Sequence, residues 1–225
     1  TNHGTVVNLS SGDKVTGPPG LGDGLNFDYG DLEYVNVADH NSLDITSNLT
    51  LEGWGRTELS LTQEMVSKDN FGGRSYGLFM LNDTTALSMS AFEASNPDSE
   101  LRLDSLTEDR FDDNTWHYLV GTYEGLTKPI IRLYKDGTQI AAGQALNPFG
   151  PIQANNTPVN IGRRVYSLAE AYWGGDLDEV RISNVVRSTA WVFAQNKSMS
   201  LSFNSYGNEE ATAVWIFKNN TSAAT

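Results

Sequence analysis

Ile130-Ile131-Arg132-Leu133-Tyr134-Lys135-Asp136-Gly137-Thr138-Gln139-Ile140 is the stretch whose reading decides the fold. Asp-Gly supplies the two positive-φ positions of a type I′ turn, whose twist matches that of two flanking strands. β-Branched, aromatic and apolar residues run up to it from both sides, so two antiparallel strands meet at Asp136-Gly137. Just upstream, Trp116 to Tyr123 has the same character, and a three-stranded meander follows. Further out, Glu33 to Val37 alternates, and so does Leu49-Thr50-Leu51-Glu52, which puts Leu49 and Leu51 on one side and Thr50 and Glu52 on the other. These read as half-buried strands. Pro158 to Gly162 and Gly174-Gly175-Asp176-Leu177-Asp178-Glu179-Val180-Arg181-Ile182-Ser183 add two more.

One helix stands out, from Thr189 to about Asn196, with Ser188 as its N-cap; it is short, and is expected to plug one end of a sandwich. Strands separated by Gly, Asn and Pro turns, with almost no helix, predict an all-β chain of two packed antiparallel sheets. No repeat or linker interrupts the chain before about residue 200, so one domain is expected over residues 1–203. The C-terminal extension, 204–225, has a polar segment, Asn204 to Glu210, and then the run Ala213-Val214-Trp215-Ile216-Phe217. That run is expected to form an added strand, either on the edge of its own domain or on a second copy of the chain.

A chain of 225 residues without cysteine can bury a full core without disulfides, and it has no thiol chemistry or Cys-based zinc site. Its net charge of -13, with no compensating basic cluster, repels phosphate backbones and anionic lipid, which excludes nucleic acid as a partner. No run approaches the roughly 18 apolar residues of a membrane span, so membrane insertion is not expected. The chain starts at Thr1, as expected of a fragment or of a protein whose leader has been removed. Asn8, Asn48, Asn82, Asn155, Asn196, Asn219 and Asn220 each stand two residues before Ser or Thr. Such acceptors fit an extracellular or cell-surface glycoprotein.

An ordered series of short motifs carries a resemblance. Gly24-Leu25-Asn26-Phe27-Asp28, Tyr34-Val35-Asn36-Val37, Leu51-Glu52-Gly53-Trp54, Lys68, Tyr76, Trp116-His117, Leu133-Tyr134-Lys135-Asp136-Gly137, Ile161-Gly162 and Gly175 to Ile182 fall in one order over about residues 20 to 200. This order resembles the laminin G-like domains of the concanavalin A-like lectin/glucanase superfamily, especially those of prokaryotic surface proteins. The resemblance implies a jelly-roll sandwich, mostly non-catalytic members that bind glycans or proteins, and often one calcium ion. It matches Asp28 and Asp178 to the positions that hold the ion, with Asp23 and carbonyls near Gly22 to complete the set. Calcium takes six to eight hard oxygens, which sandwich loops supply. The alternative is that Asp28 is an Asx-turn residue before Gly30 and Asp178 a turn cap or a partner of Arg181.

Some relatives hydrolyse glycosides with carboxylates spaced along one strand. Alternate residues share a face, so Asp176 and Asp178 would lie together and Glu179 opposite, with Val180 where a last acid is needed. The set is incomplete, and no enzyme activity is expected. Glu179 is expected to pair with a nearby arginine. A sugar platform needs exposed aromatic rings beside hydrogen-bonding groups. The candidates are Tyr166, Tyr172 and Trp173 near Arg163 and Arg164, with Arg74 and Tyr76 beside Phe71 in a second Gly-rich segment. The function expected is a non-catalytic recognition or adhesion module, carbohydrate-binding and calcium-stabilised, whose partner is a glycan or surface glycoprotein. The alternative is a structural subunit of a surface assembly, joined through its C-terminal strand.

Overall fold

A computed structural model of the chain describes residues 2–70, 73–82, 87–166 and 169–200 and, of Pro97, Tyr166 and Ala169, the backbone alone. Phe71 and the extension 204–225, with its expected strand at 213–217, therefore lie outside the described residues. Along the chain the strands are β1 (Gly4–Val7), β2 (Lys14–Thr16), β3 (Asp23–Phe27), β4 (Tyr34–Val37), β5 (Leu49–Arg56), β6 (Gln63–Asn70), β7 (Gly73–Met80), β8 (Ser88–Glu93), β9 (Asn96–Asp104), β10 (His117–Glu124), β11 (Ile130–Lys135), β12 (Thr138–Gln144), β13 (Val159–Ile161), β14 (Arg163–Tyr166), β15 (Ala169–Tyr172) and β16 (Gly175–Ser183). Helix α1 (Thr189–Met199) follows.

The Asp-Gly turn forms as its residues require: Asp136 has φ 52° and Gly137 φ 82°, and β10, β11 and β12 make the expected meander. Two seven-stranded sheets result, ordered β1-β4-β13-β6-β7-β8-β9 and β12-β11-β10-β5-β16-β3-β2, with β14 and β15 as a separate hairpin. Every pairing is antiparallel. In the second sheet β5 lies between β10 and β16, strands far apart in sequence, and this interleaving makes the sandwich a jelly roll. Phe27, Leu49, Leu51, Leu78, Met89, Leu119 and Leu133 fill the space between the sheets.

Helix α1 is capped by the Ser188 side chain, which accepts from Trp191 N, and it runs three residues beyond the expected end. It does not plug the sandwich. Val192 and Met199 pack instead with Trp54, Tyr118, Val120 and Tyr134, on the outer face of the second sheet. That covering corrects the half-buried reading of β5. Thr50 donates to Val185 O and accepts from Arg187 N, while Glu52, 1% exposed, accepts from the Tyr118 hydroxyl.

Candidate ligand-binding site

The aromatic platform expected from sequence is mostly core. Trp173 is 0% exposed and stacks on Phe111, with centroids 6.2 Å apart and planes 9° from parallel. The glycine at position 55 makes room for it, since a Cβ there would lie 2.9 Å from the Trp173 ring. Tyr76 is also fully buried, its hydroxyl donating to Leu43 O. Tyr172 is 6% exposed, and burial pushes its hydroxyl up to about 12, with Glu170 as acceptor. A ring must present a face to a sugar, and these rings do not. The side chain of Tyr166 lies outside the described part. Arg74 and Arg164 stack on Phe92 and Phe79, at 3.6 and 5.3 Å from the ring centroids, on the outer face of the first sheet.

The three acids of β16 take three different roles. Asp176, 4% exposed, accepts from Asn26 Nδ2 at 2.7 Å and forms an ion pair with Arg56. Asp178 is partly buried; its Oδ1 accepts from Glu179 N, while its buried Oδ2 has no hydrogen-bond partner among the described residues. Glu179 has φ 50° and sits at a break in the β16–β5 register. Alternation therefore stops at Asp178, and the opposite-face reading of Glu179 does not apply. Glu179 pairs with Arg181, the structural role expected of it.

The four expected calcium ligands divide into two places. β3 pairs with β16 so that Asp176 faces Asn26 and Leu177 faces Leu25, which places Asp178 beside Gly24 and Asp28 beyond the other end. Asp28 lies five positions beyond Asp23, just past the end of β3, roughly 16 Å away and far more than one ion spans. Asp28 accepts from Gly30 N at 2.7 Å, the Asx turn of the alternative reading. Asp178 and the Gly22 carbonyl, by contrast, do converge, and Asp23, which pairs with Lys14 at 3.4 Å, lines the same pocket as Asp178. A Cβ on Gly17 would sit 2.6 Å from Asp178 Oδ2 and 3.0 Å from the Gly22 carbonyl, so both oxygens face one small space that a side chain would fill. Burial raises the Asp178 carboxyl above its ordinary value, and Glu179 and Asp23 add repulsion. An unpartnered carboxylate oxygen beside a carbonyl fits a hard cation. No group of three or more His, Asp or Glu side chains placed to hold a metal occurs among the described residues, so part of any shell must come from backbone and water.

At the Asp28 end lies a polar cleft of about 410 Å³. The ends of β3, β5 and β16 form its floor, through Asn26, Arg56 and Asp176, and Tyr29, Glu58, Leu59 and Asn114 come from loops. The Arg56 guanidinium lies 5.2 Å from the Trp116 ring centroid, which holds it against the floor. Thr57 donates to Gly174 O and Asn114 N to Thr57 O, so the loops that shape the walls are tied to the strands. Tyr29 is 38% exposed. Sequence reasoning missed this site because its members are spread over about 150 residues. The one local signal was an aromatic residue between Asp28 and Gly30, in a turn.

Apart from the half-buried Asp178, the carboxyls that burial raises are enclosed. Glu64 and Asp69 of β6 are 0% and 3% exposed; burial holds Glu64 well above the carboxylate range and lifts Asp69 to about 6. Glu52 and Glu33 are likewise raised by burial, at 1% and 4% exposed. His117 forms a chain that resembles a hydrolase relay, with Nδ1 2.7 Å from Asp136 Oδ2 and Nε2 2.8 Å from Thr115 Oγ1. The Thr115 hydroxyl, however, donates its hydrogen bond to Asp113 Oδ1 at 2.6 Å. Burial pulls the His117 ring down, but Asp136 and Asp113 outweigh it and the ring is raised overall, its two nitrogens clamped between those carboxylates.

Among the glycosylation acceptors, Asn8, Asn48 and Asn82 are exposed and Asn155 is partly so. Asn196 is 7% exposed and donates to Asp136 O, so a glycan there would break the contact between α1 and the Asp-Gly turn. Asn219 and Asn220 lie outside the described residues. No helix of the described residues is long and apolar enough to cross a membrane.

No curated protein matches this sequence. Among solved structures, the binding domain of Paraclostridial Mosquitocidal Protein 1 is similar at TM-score 0.65 and 16% identity, over 87% of this chain and 47% of that one. The binding domain of botulinum neurotoxin DC in complex with SialylT gives 0.61 at 10% identity, over 88% and 47%. The same domain in complex with rat synaptotagmin II gives 0.57 at 11%, over 88% and 47%. The chain thus spans about half the length of these structures, and at such identities the likeness is one of fold. A laminin G-like family model matches residues 30–193, and by that match the chain belongs to the concanavalin A-like lectin/glucanases superfamily.

Proposed function

We propose that the chain is a non-catalytic, extracellular recognition module that binds carbohydrate, free or on a surface glycoprotein, and is stabilised by calcium. The observation that carries the non-catalytic reading is the placement of its acids. Glu64, Asp69, Glu52 and Glu33, whose carboxyls burial raises, are sealed from solvent; Asp178 is raised but half-buried, and Asp176 in the open cleft has both oxygens engaged by Asn26 and Arg56. Glycoside hydrolysis needs one carboxylic acid and one carboxylate on either side of the same accessible bond. Recognition needs only the cleft. The complexes of similarly folded binding domains with SialylT and with synaptotagmin II support a glycan or glycoprotein partner.

Calcium, when bound, supplies positive charge and no redox chemistry. Asp178 Oδ2, the Gly22 carbonyl and Asp23 would hold it, relieving the mutual repulsion of the carboxylates and tying the start of β3 to β16. An ion held by the folded chain alone, at 100-fold excess over its dissociation constant, adds about 2.7 kcal/mol. Chelation should therefore lower the melting temperature by several degrees in the parent and leave Asp178→Asn unchanged. A parent melting curve indifferent to EDTA and to added calcium removes the ion from the proposal. The recognition reading is tested on a glycan array, with release of reducing ends from polysaccharides as the counter-assay. Binding without turnover is expected, and turnover would overturn it.

A further inference from the structure

We propose that the cleft at the Asp28 end of the sandwich is the carbohydrate site, and that it selects uncharged sugars. This rests on the carbohydrate reading above and adds where the sugar sits and of which class it is. At about 410 Å³ the cleft falls within the range of small-molecule sites, about 300–1,000 Å³. It offers the two surfaces a sugar ring has: the exposed Tyr29 ring and Leu59 for C–H faces, and amide, guanidinium and carboxylate groups for hydroxyls.

The floor is preorganised. Asp176 fixes both Asn26 and Arg56, leaving the Asn26 carbonyl oxygen as an acceptor and further guanidinium N–H groups as donors at known positions. Nothing must reorganise for a hydroxyl to bridge them, which lowers the cost of binding. On the wall the Asn114 side chain makes no hydrogen bond within the described residues and can both donate and accept.

Charge sets the class. Asp28, Glu58 and Asp176 line the cleft against the single cation Arg56, whose charge Asp176 already neutralises. An anionic sugar entering there meets two unpaired carboxylates, within a molecule of net charge -13. A neutral polyol meets only hydrogen-bonding groups. The cation cradle at Asp178 lies at the other end of the β3–β16 pair, so sugar binding should not require calcium.

The test uses the full chain on an array of neutral, sialylated and sulfated oligosaccharides, followed by calorimetry on the best neutral hit with and without EDTA. Neutral sugars should bind. Tyr29→Ala should weaken them about tenfold or more. Asn114→Gly, which removes the amide at a residue of φ 60° without adding backbone strain, should weaken them several-fold. Phe193→Ala, which trims an exposed ring on α1 that does not line the cleft, should change nothing, and Glu58→Lys should narrow the gap between neutral and sulfated sugars. Circular dichroism confirms that each variant is folded. Neutral-sugar binding unaffected by both Tyr29→Ala and Asn114→Gly would overturn the cleft while keeping the carbohydrate reading. Loss of binding with EDTA in a still-folded protein would move the site to the cradle, and preference for sialylated or sulfated sugars would overturn the charge argument. No binding to any sugar would end both readings together.

Discussion

Glu64 shows how one residue can carry a cost the fold tolerates. Its side chain is fully buried on the outer face of the first sheet, neither oxygen has a hydrogen-bond partner among the described residues, and Arg164 Nε stands 3.6 Å away. Burial raises its carboxyl, so the folded state holds a proton that the unfolded chain releases near the usual glutamate value of about 4.3. The sign follows: stability from this group is greatest below that value and falls as pH rises toward the folded one. Glu64→Gln keeps the shape and removes the charge. It should stabilise the protein by about 1 kcal/mol at pH 7, roughly 2–4 °C in melting temperature, and do little near pH 4. Equal destabilisation at both pH values would show that the Arg164 pairing outweighs the burial cost. None of this could be read from Gln63-Glu64-Met65, which looks like any solvated strand position.

At the scale of elements, legibility followed the covering of each strand. The Asp-Gly hairpin was readable because its turn chemistry is local, and β4 because all four of its residues stay half-buried. In β7 and β8 the alternation breaks at Phe79 and Phe92, apolar residues buried on the face opposite the core-facing positions. Similarly, Trp173 beside two glycines read as an exposed platform, whereas Gly55 across the sheet shows the ring to be packed inside. The His117 clamp at the hairpin yields an element-scale prediction. His117 bridges Asp136 to Asp113 and Thr115, and Asp136 also accepts from Tyr118 N and, through its carbonyl, from Asn196 of α1. Because the ring is raised in the folded state, its contribution is fully present below the unfolded value of about 6.5 and is lost as pH rises through the higher folded one. Melting temperature should drop above pH 6.5, and His117→Asn should flatten that slope while costing roughly 1–2 kcal/mol at pH 6. A slope of the same size in the variant would assign the response elsewhere.

For the whole molecule, the relevant quantity is the charge of -13, which was legible from composition alone but whose distribution was not. The two features offered for binding lie at opposite ends of the β3–β16 pair: a cradle of acids at Asp178 and a cleft in which Arg56 offsets Asp176. Like charges that repel across a compact body destabilise it, and salt screens them as the Debye length shrinks from about 30 Å at 0.01 M to about 3 Å at 1 M. Melting temperature should therefore rise with added sodium chloride. A neutral sugar gains nothing from that field and loses nothing to screening, so its dissociation constant should stay within about twofold over the same range. An anionic ligand in the same cleft would bind tighter as salt masks Asp28 and Glu58. A cationic one, such as a basic segment of a protein receptor, would bind weaker. Measured on one protein preparation, the sign of the salt slope thus separates the three ligand classes, and a steep slope in either direction for the best sugar would contradict recognition through uncharged hydroxyls.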